Sequence, residues 1–252
     1  MRRALFILVA LAAAAAPAKA QQNWLPSWTL STEIWSKYVG GPHGAVPYKH
    51  PVLQTNIAAS WNNCLFVNLW FSKALGSGSA RGNGGNEVDY AVGCAGPLAN
   101  GFGGMVSFNY YDLSAPTLFT SSRGDFVQII AELNYTFKFH EHTFVPYVRV
   151  EPSWVVGGIA LDGVYYYVGV RHQWQITDYL SVVDAFRLVY DPSGVYNLDP
   201  GWNARFDLSL AWKVGGGFTL RAPAMKAFFP LSQFKDGRKD EFVIGAGLDK
   251  SF

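Results

Sequence analysis

The sequence predicts an all-β fold: a transmembrane, antiparallel, up-and-down β-barrel of twelve strands. Three observations carry that expectation. An export leader opens the chain, yet no later stretch is apolar for long enough to form a membrane-spanning helix. Segment after segment alternates apolar and polar residues with period two. The connections between those segments alternate long and short around the whole chain.

The leader comes first. Met1-Arg2-Arg3 is a short cationic start, Ala4 to Ala16 is apolar, and Ala18-Lys19-Ala20 fits a small-residue cleavage site. Residues 1–20 are therefore read as a cleaved signal peptide, with the mature start near Gln21. Residues 21–252 are read as one barrel domain, since no linker-like shift in composition divides them. Removing Arg2, Arg3 and Lys19 from the 20 basic residues leaves 17 against 18 acidic ones. No basic run remains that would favour nucleic acid. Aromatic residues make up 16% of the chain and charged ones only 15%. Globular domains usually carry about 25% charge, so a composition this aromatic and this uncharged suits a membrane barrel.

The clearest segment is DFVQIIAELNYTFKF, residues 125–139. Val127, Ile129, Ala131, Leu133, Tyr135 and Phe137 share one face; Gln128, Glu132, Asn134, Thr136 and Lys138 share the other, with Ile130 the exception. As a helix, the same run would scatter its charges around the cylinder. The template recurs at 28–39 (Trp28, Leu30, Ile34 and Tyr38 opposite Glu33 and Lys37), 51–61, 64–73, 86–94 and 104–112. It continues at 143–153, 162–174, 179–190, 204–214, 217–226 and 240–252. An even strand count lets a single-chain barrel close with both ends on one side.

The long connections are 40–50, 74–85, 113–125, 154–161, 191–203 and 227–239, rich in Gly, Pro, Ser and Asn. The short ones are Asn62-Asn63, 95–103, 139–142, 175–178 and Gly215-Gly216. Outer-membrane barrels pair short periplasmic turns with longer extracellular loops, which places both termini in the periplasm. A soluble sandwich or barrel is the alternative; one strand alone does not tell which face meets water. Strand length, leader, loop order and aromatic load together favour the membrane barrel.

Three places strain the pattern. Asp184 falls on the parity assigned to lipid, so a bulge or register shift is expected there. Pro146 and Pro223 each remove a ladder donor and are expected at bulges or strand ends.

The last strand, FVIGAGLDKSF, sets Phe242, Ile244, Leu248 and Phe252 on the lipid parity. It resembles the C-terminal signature of bacterial outer-membrane barrels, an alternating strand closed by Phe. That resemblance implies outer-membrane lipid and the barrel assembly machinery as partners. EIWSKYVGG, GNEVDYAVGCAG and the closing LDKSF further resemble a family of conserved proteobacterial outer-membrane, porin-like proteins of unknown function. The family brings no activity with it.

With apolar faces on lipid, the opposite faces line a lumen. That lining would hold Glu33, Lys37, Glu87, Asp89, Glu132, Lys138, Arg149, Glu151, Arg171, Arg187, Arg205, Asp207, Lys213 and Arg221. Arg–carboxylate pairs between neighbouring strands would brace a narrow interior. Alternatively, the bases of the second half would face the acids of the first and set a transverse field on polar solutes. Tyr111, Tyr147, Tyr165 and Tyr167 would then offer rings to stack on a solute.

No catalytic residue, metal site or cofactor is assigned. His140-Glu141-His142 has the spacing of a metal pair but lies in a turn with no third ligand evident. No G-x-S-x-G occurs. The Gly-rich stretch 76–86 reads as a loop, since no helix follows it. Cys64 and Cys94 agree in height but differ in parity, so a disulfide would need a bulge; the reading leans against the bond and leaves it open. The function expected is a porin-like passive channel for a small polar solute in the Gram-negative outer membrane. A membrane-embedded lipid-modifying enzyme and a structural barrel with a plugged lumen are the alternatives.

Overall fold

A computed structural model describes residues 25–41, 44–62, 64–76, 85–113, 125–156, 162–194, 199–235 and 237–252. The signal peptide, its cleavage site and most of the Gly-rich stretch lie outside the described residues. The strands are β1 (Ser27–Trp35), β2 (Tyr38–Gly40), β3 (Ala45–Tyr48), β4 (Val52–Ser60), β5 (Leu65–Ala74), β6 (Glu87–Pro97), β7 (Phe102–Asp112) and β8 (Phe126–Tyr135). They continue as β9 (Phe137–Phe139), β10 (His142–Val155), β11 (Gly163–Gln175), β12 (Leu180–Asp191), β13 (Gly201–Gly215), β14 (Phe218–Pro230) and β15 (Glu241–Ser251). Among the described residues there is no helix long and apolar enough to cross a membrane.

β8 and β9 are one wall strand interrupted at Thr136, and β2 pairs only with β3 in a separate hairpin. The wall therefore has twelve strands, each antiparallel to its neighbours. Thr29↔Ser251 through Trp35↔Gly245 joins β1 to β15 and closes the ring. Closure leaves the wall without a free edge strand, the condition hydrocarbon imposes. The predicted connection order is present, so the barrel has a turn end and a loop end.

Burial shows which way the faces point. Leu133 is 43% exposed whereas its neighbour Glu132 is 8% exposed, the inverse of a soluble sheet. Val67, Val92, Phe108, Val148, Val168, Phe186, Ile244 and Leu248 are likewise exposed, while Asn109, Gln128, Glu151 and Ser181 are buried. The polar face is inside and the apolar face meets hydrocarbon; the chain is a transmembrane β-barrel. Aromatic rings, Phe137, Phe139, Tyr179 and Phe218 among them, are exposed at the turn end. Phe252 is exposed there too, and its backbone N–H donates to Trp28 O (3.0 Å).

The structure corrects several expectations. β12 runs through Asp184 with no register shift on either side. Asp184 points outward, and neighbouring side chains meet its charge instead of a bulge. His172 lies directly opposite it on β11, with His172 Nδ1 to Asp184 Oδ2 2.7 Å. His172 Nε2 is 2.9 Å from His142 Nδ1 on β10. With an ionised carboxylate and neutral rings, each Nδ1–H donates along this chain from His142 to His172 to Asp184. His172→Leu should therefore lower the unfolding free energy in detergent by about 2–3 kcal/mol, because it strands a charge on the lipid face. The double variant H172L/D184L should recover most of that loss in a urea titration.

Pro146 causes no bulge either: it stays in register opposite Val170, and its missing donor falls beside the break between β8 and β9. Pro223 does sit in a register shift, between Arg221↔Gly247 and Ala224↔Gly245. The extra residue reverses parity beyond it, so Ala224, which shares the sequence parity of the exposed Phe218 and Leu220, is buried inside.

Cys64 and Cys94 are bonded, with Cα atoms 4.7 Å apart. Leu65, not Cys64, is the residue paired with Cys94. Cys64 precedes β5 with φ at +84°, so strand parity does not govern where its side chain points. Its carbonyl accepts from Ala95 N–H (2.9 Å).

The first strand ends at Trp35 rather than at residue 39. Beyond it the chain turns inward, and the β2–β3 hairpin packs across the loop-end mouth. Trp35, Tyr38, Tyr48, Val52, Ala74, Ala224, Phe228 and Val243 form one buried cluster there. Gly44 makes the close approach: its φ is +70°, and a Cβ added to it would lie 3.0 Å from the Phe228 Cβ.

Candidate functional site: a divided, charged lumen

Two cavities within the lumen meet at Arg149, and a smaller one of about 300 Å³ lies beside Trp70, Asp89 and Tyr111. The loop-end chamber, of about 610 Å³, lies beneath the β2–β3 hairpin. Of the residues singled out from the sequence, Glu33, Glu87, Asp89, Tyr111, Arg149, Glu151, Tyr165, Tyr167, Arg187 and Arg205 line it. The turn-end chamber, of about 590 Å³, is lined by the end of β6, its turn and the start of β7 (residues 95–105) and by Glu132, Arg149 and Arg171. Arg149 borders both, so its side chain stands at the partition.

The partition is an ion-pair cluster. Arg149 Nη2–H and Nε–H donate to Glu132 Oε2 at 2.7 and 3.0 Å, and Arg149 Nη1–H donates to Glu151 Oε1 at 3.2 Å. Arg171 Nη2–H reaches the same Glu132 oxygen at 2.5 Å. The Tyr167 hydroxyl donates to Glu151 Oε2 at 2.5 Å. Tyr147, directly opposite Gly169 on β11, is buried with the Arg171 guanidinium 4.3 Å from its ring centre. A side chain at Gly169 would occupy the space of the Tyr147 ring (2.7 Å). That glycine therefore makes room for the tyrosine, and the tyrosine supports the arginine.

A second set of pairs runs along the neighbouring wall from β12 to β1. Asp207 on β13 accepts from Arg187 (2.5 Å) and Arg205 (2.8 Å). Arg221 on β14 is held by Glu33 on β1 (2.6 Å) and Asp249 on β15 (2.7 Å). Lys37 pairs with Glu241. Lys138 and Lys213 are exposed and join no chamber lining.

The acidic residues of β6 are differently placed. Glu87 and Asp89 form no ion pair among the described residues. The Tyr38 hydroxyl of the hairpin donates to Glu87. Burial, followed by the carboxylates of Glu87 and Asp89, pushes the Tyr38 phenol well above its usual value of 10, which keeps it a donor. Around the closed sheet β6 and β13 are six strands apart in either direction. Arg205 therefore stands diametrically across from Glu87 and Asp89.

Sequence reading missed four contributors. Lys226 lines the loop-end chamber, with its Nζ 3.7 Å from the centre of the Trp35 ring and 3.9 Å from Glu33 Oε2. The bulge at Pro223 turns it inward, and only Pro223 itself signalled that shift. Tyr38 was expected on the outer face; the early end of β1 brings it inside. Its signal was the Gly40-Gly41-Pro42 turn. Trp70 and Gln128 were on inward parities without being singled out, and both line the chamber. On the outside, Phe242, Ile244, Leu248 and Phe252 are exposed along β15.

No protein-family model matches the sequence, and no curated protein matches it. Solved structures share the fold. The NanC porin superposes with a TM-score of 0.57 at 12% identity, over 88% of this chain and 100% of that one. The KdgM porin, in complex with disordered oligogalacturonate, gives 0.54 at 9% identity over 90% and 99%. An outer membrane channel from Pseudomonas putida F1 gives 0.51 at 11% identity over 94% and 98%. At such identities the likeness is one of fold, and the chain is a porin-like barrel in that sense.

Proposed function

We propose that the protein is a passive outer-membrane channel for a small polar solute. The observation that supports this most is the pair of chambers stacked inside a closed wall and separated at Arg149. A wall packed solid with ion pairs would leave no such volumes. Charged groups on low-dielectric walls favour polar solutes over apolar ones and align them, without an energy source or covalent chemistry. In this reading the loop end faces outward from the cell, both termini lie in the periplasm, and residues 1–20 are removed on export. β15 would be the strand that the assembly machinery recognises. No cofactor or catalytic group has a part in it.

Planar-bilayer recording on refolded protein tests the reading. Discrete, uniform current steps are expected, small because Arg149 and the hairpin narrow the path. Absence of current at every voltage would replace the channel with a structural barrel braced by Arg149, Glu132 and Glu151. Lipid turnover in micelles would point to the enzyme instead.

A further inference from the structure

The opposed walls of the loop-end chamber differ in sign, and among the described residues the ion pairs within each wall do not match its charges one for one. On one side Glu87 and Asp89 lack a cationic partner among the described residues. On the other, Arg187 and Arg205 share the single carboxylate of Asp207, and Lys226 stands at 3.9 Å from a Glu33 already held by Arg221. The β6 wall is therefore short of positive charge and the β12–β14 wall is short of negative charge. Trp70 and Tyr111 line the chamber on the acidic side and add ring faces that attract an ammonium group.

A simple anion entering here meets two guanidinium groups but also the facing acidic pair, which has no ion-pair partner among the described residues. A simple cation meets the reverse. A solute carrying both signs answers both walls at once. Resting on the channel reading above, we infer that the loop-end chamber selects short zwitterionic peptides, whose charged ends are far enough apart to reach opposed walls. The ammonium end lies against Glu87 and Asp89, and the carboxylate end lies against Arg187, Arg205 and Lys226. The volume of about 610 Å³ accommodates a short peptide.

Triglycine and its two capped forms test this at nearly constant length. N-acetyl-triglycine is an anion and triglycinamide a cation. Block of potassium chloride current in bilayers and equilibrium dialysis on the detergent-solubilised barrel are read together. Triglycine should bind roughly tenfold more tightly than either capped form. In E87Q/D89N the preference should pass to the N-acetylated form, and in R205Q to the amide. Equal or tighter binding of the N-acetylated form by the unaltered protein would overturn the proposal and leave an anion site. Dialysis with no preference among the three would also overturn it, whether or not current flows. Current without zwitterion preference would sink this inference but keep the channel; zwitterion binding without current would do the opposite.

Discussion

Arg149→Ala should raise single-channel conductance by roughly twofold and shift the pore toward cations by roughly threefold in permeability ratio. Two effects add. The guanidinium that divides the chambers disappears, which widens the narrowest part of the path. Among the described residues Glu132 then keeps Arg171 as its ion-pair partner, and Glu151 loses its ion pair while retaining the Tyr167 hydroxyl. The exposed negative charge then favours cations. The same loss should lower unfolding free energy by about 3 kcal/mol, since removing one member of a buried pair strands the other. Arg149→Lys separates the effects: it keeps the charge but not the forked geometry, so selectivity should hold while conductance rises. Unchanged conductance and selectivity in Arg149→Ala would mean that ions do not pass this point.

Removing the inward hairpin should have the second large effect. Replacing residues 38–48 with a short Gly linker should increase conductance by about two- to threefold, because the loop-end mouth loses its cover. Trp35, Val52, Phe228 and Val243 are buried in the cluster that includes hairpin residues Tyr38 and Tyr48, and the deletion should expose them. Tryptophan emission should move to longer wavelength as Trp35 meets water. Gly44→Val is the single-site version: a branched side chain at φ +70° and 3.0 Å from Phe228 has no room. It should displace the hairpin and raise conductance in the same direction. A deletion variant that folds, resists detergent unfolding and conducts as before would show that the hairpin lies off the path.

The wall was legible because each strand repeats one physical demand. A residue on hydrocarbon and its neighbour on water must alternate, and segments such as 126–135 do so with little exception. The loop order was legible for the same reason, since turns at one end only have to reverse the chain. What escaped were departures from the repeat. At Asp184 the parity was read correctly but the remedy was not: a register shift was expected, whereas His172 on the adjoining strand supplies a partner. Cross-strand pairing depends on register, which single-strand periodicity does not contain. At Pro223 the bulge was anticipated, yet its consequence for Lys226 was not followed. At Tyr38 an apparent continuation of β1 hid the end of a strand. Cys64 escaped because its position depends on one positive φ. Within the lumen, residue types and inward parity were readable, but which acid meets which base was not. The Arg149 cluster, and the lack of an ion pair at Glu87 and Asp89 among the described residues, emerge only once strand neighbours are fixed.

Single spin labels placed one at a time from Val127 to Asn134 in lipid vesicles would test the central claim most directly. Along β8 the account predicts oxygen accessibility peaking at 127, 129, 131 and 133, and a water-soluble nickel reagent reaching 128, 132 and 134 instead. The two profiles should be out of phase by one residue. Labels at 127, 129 and 133 reached by nickel and shielded from oxygen would contradict the inside-out barrel, and with it every inference drawn about the lumen.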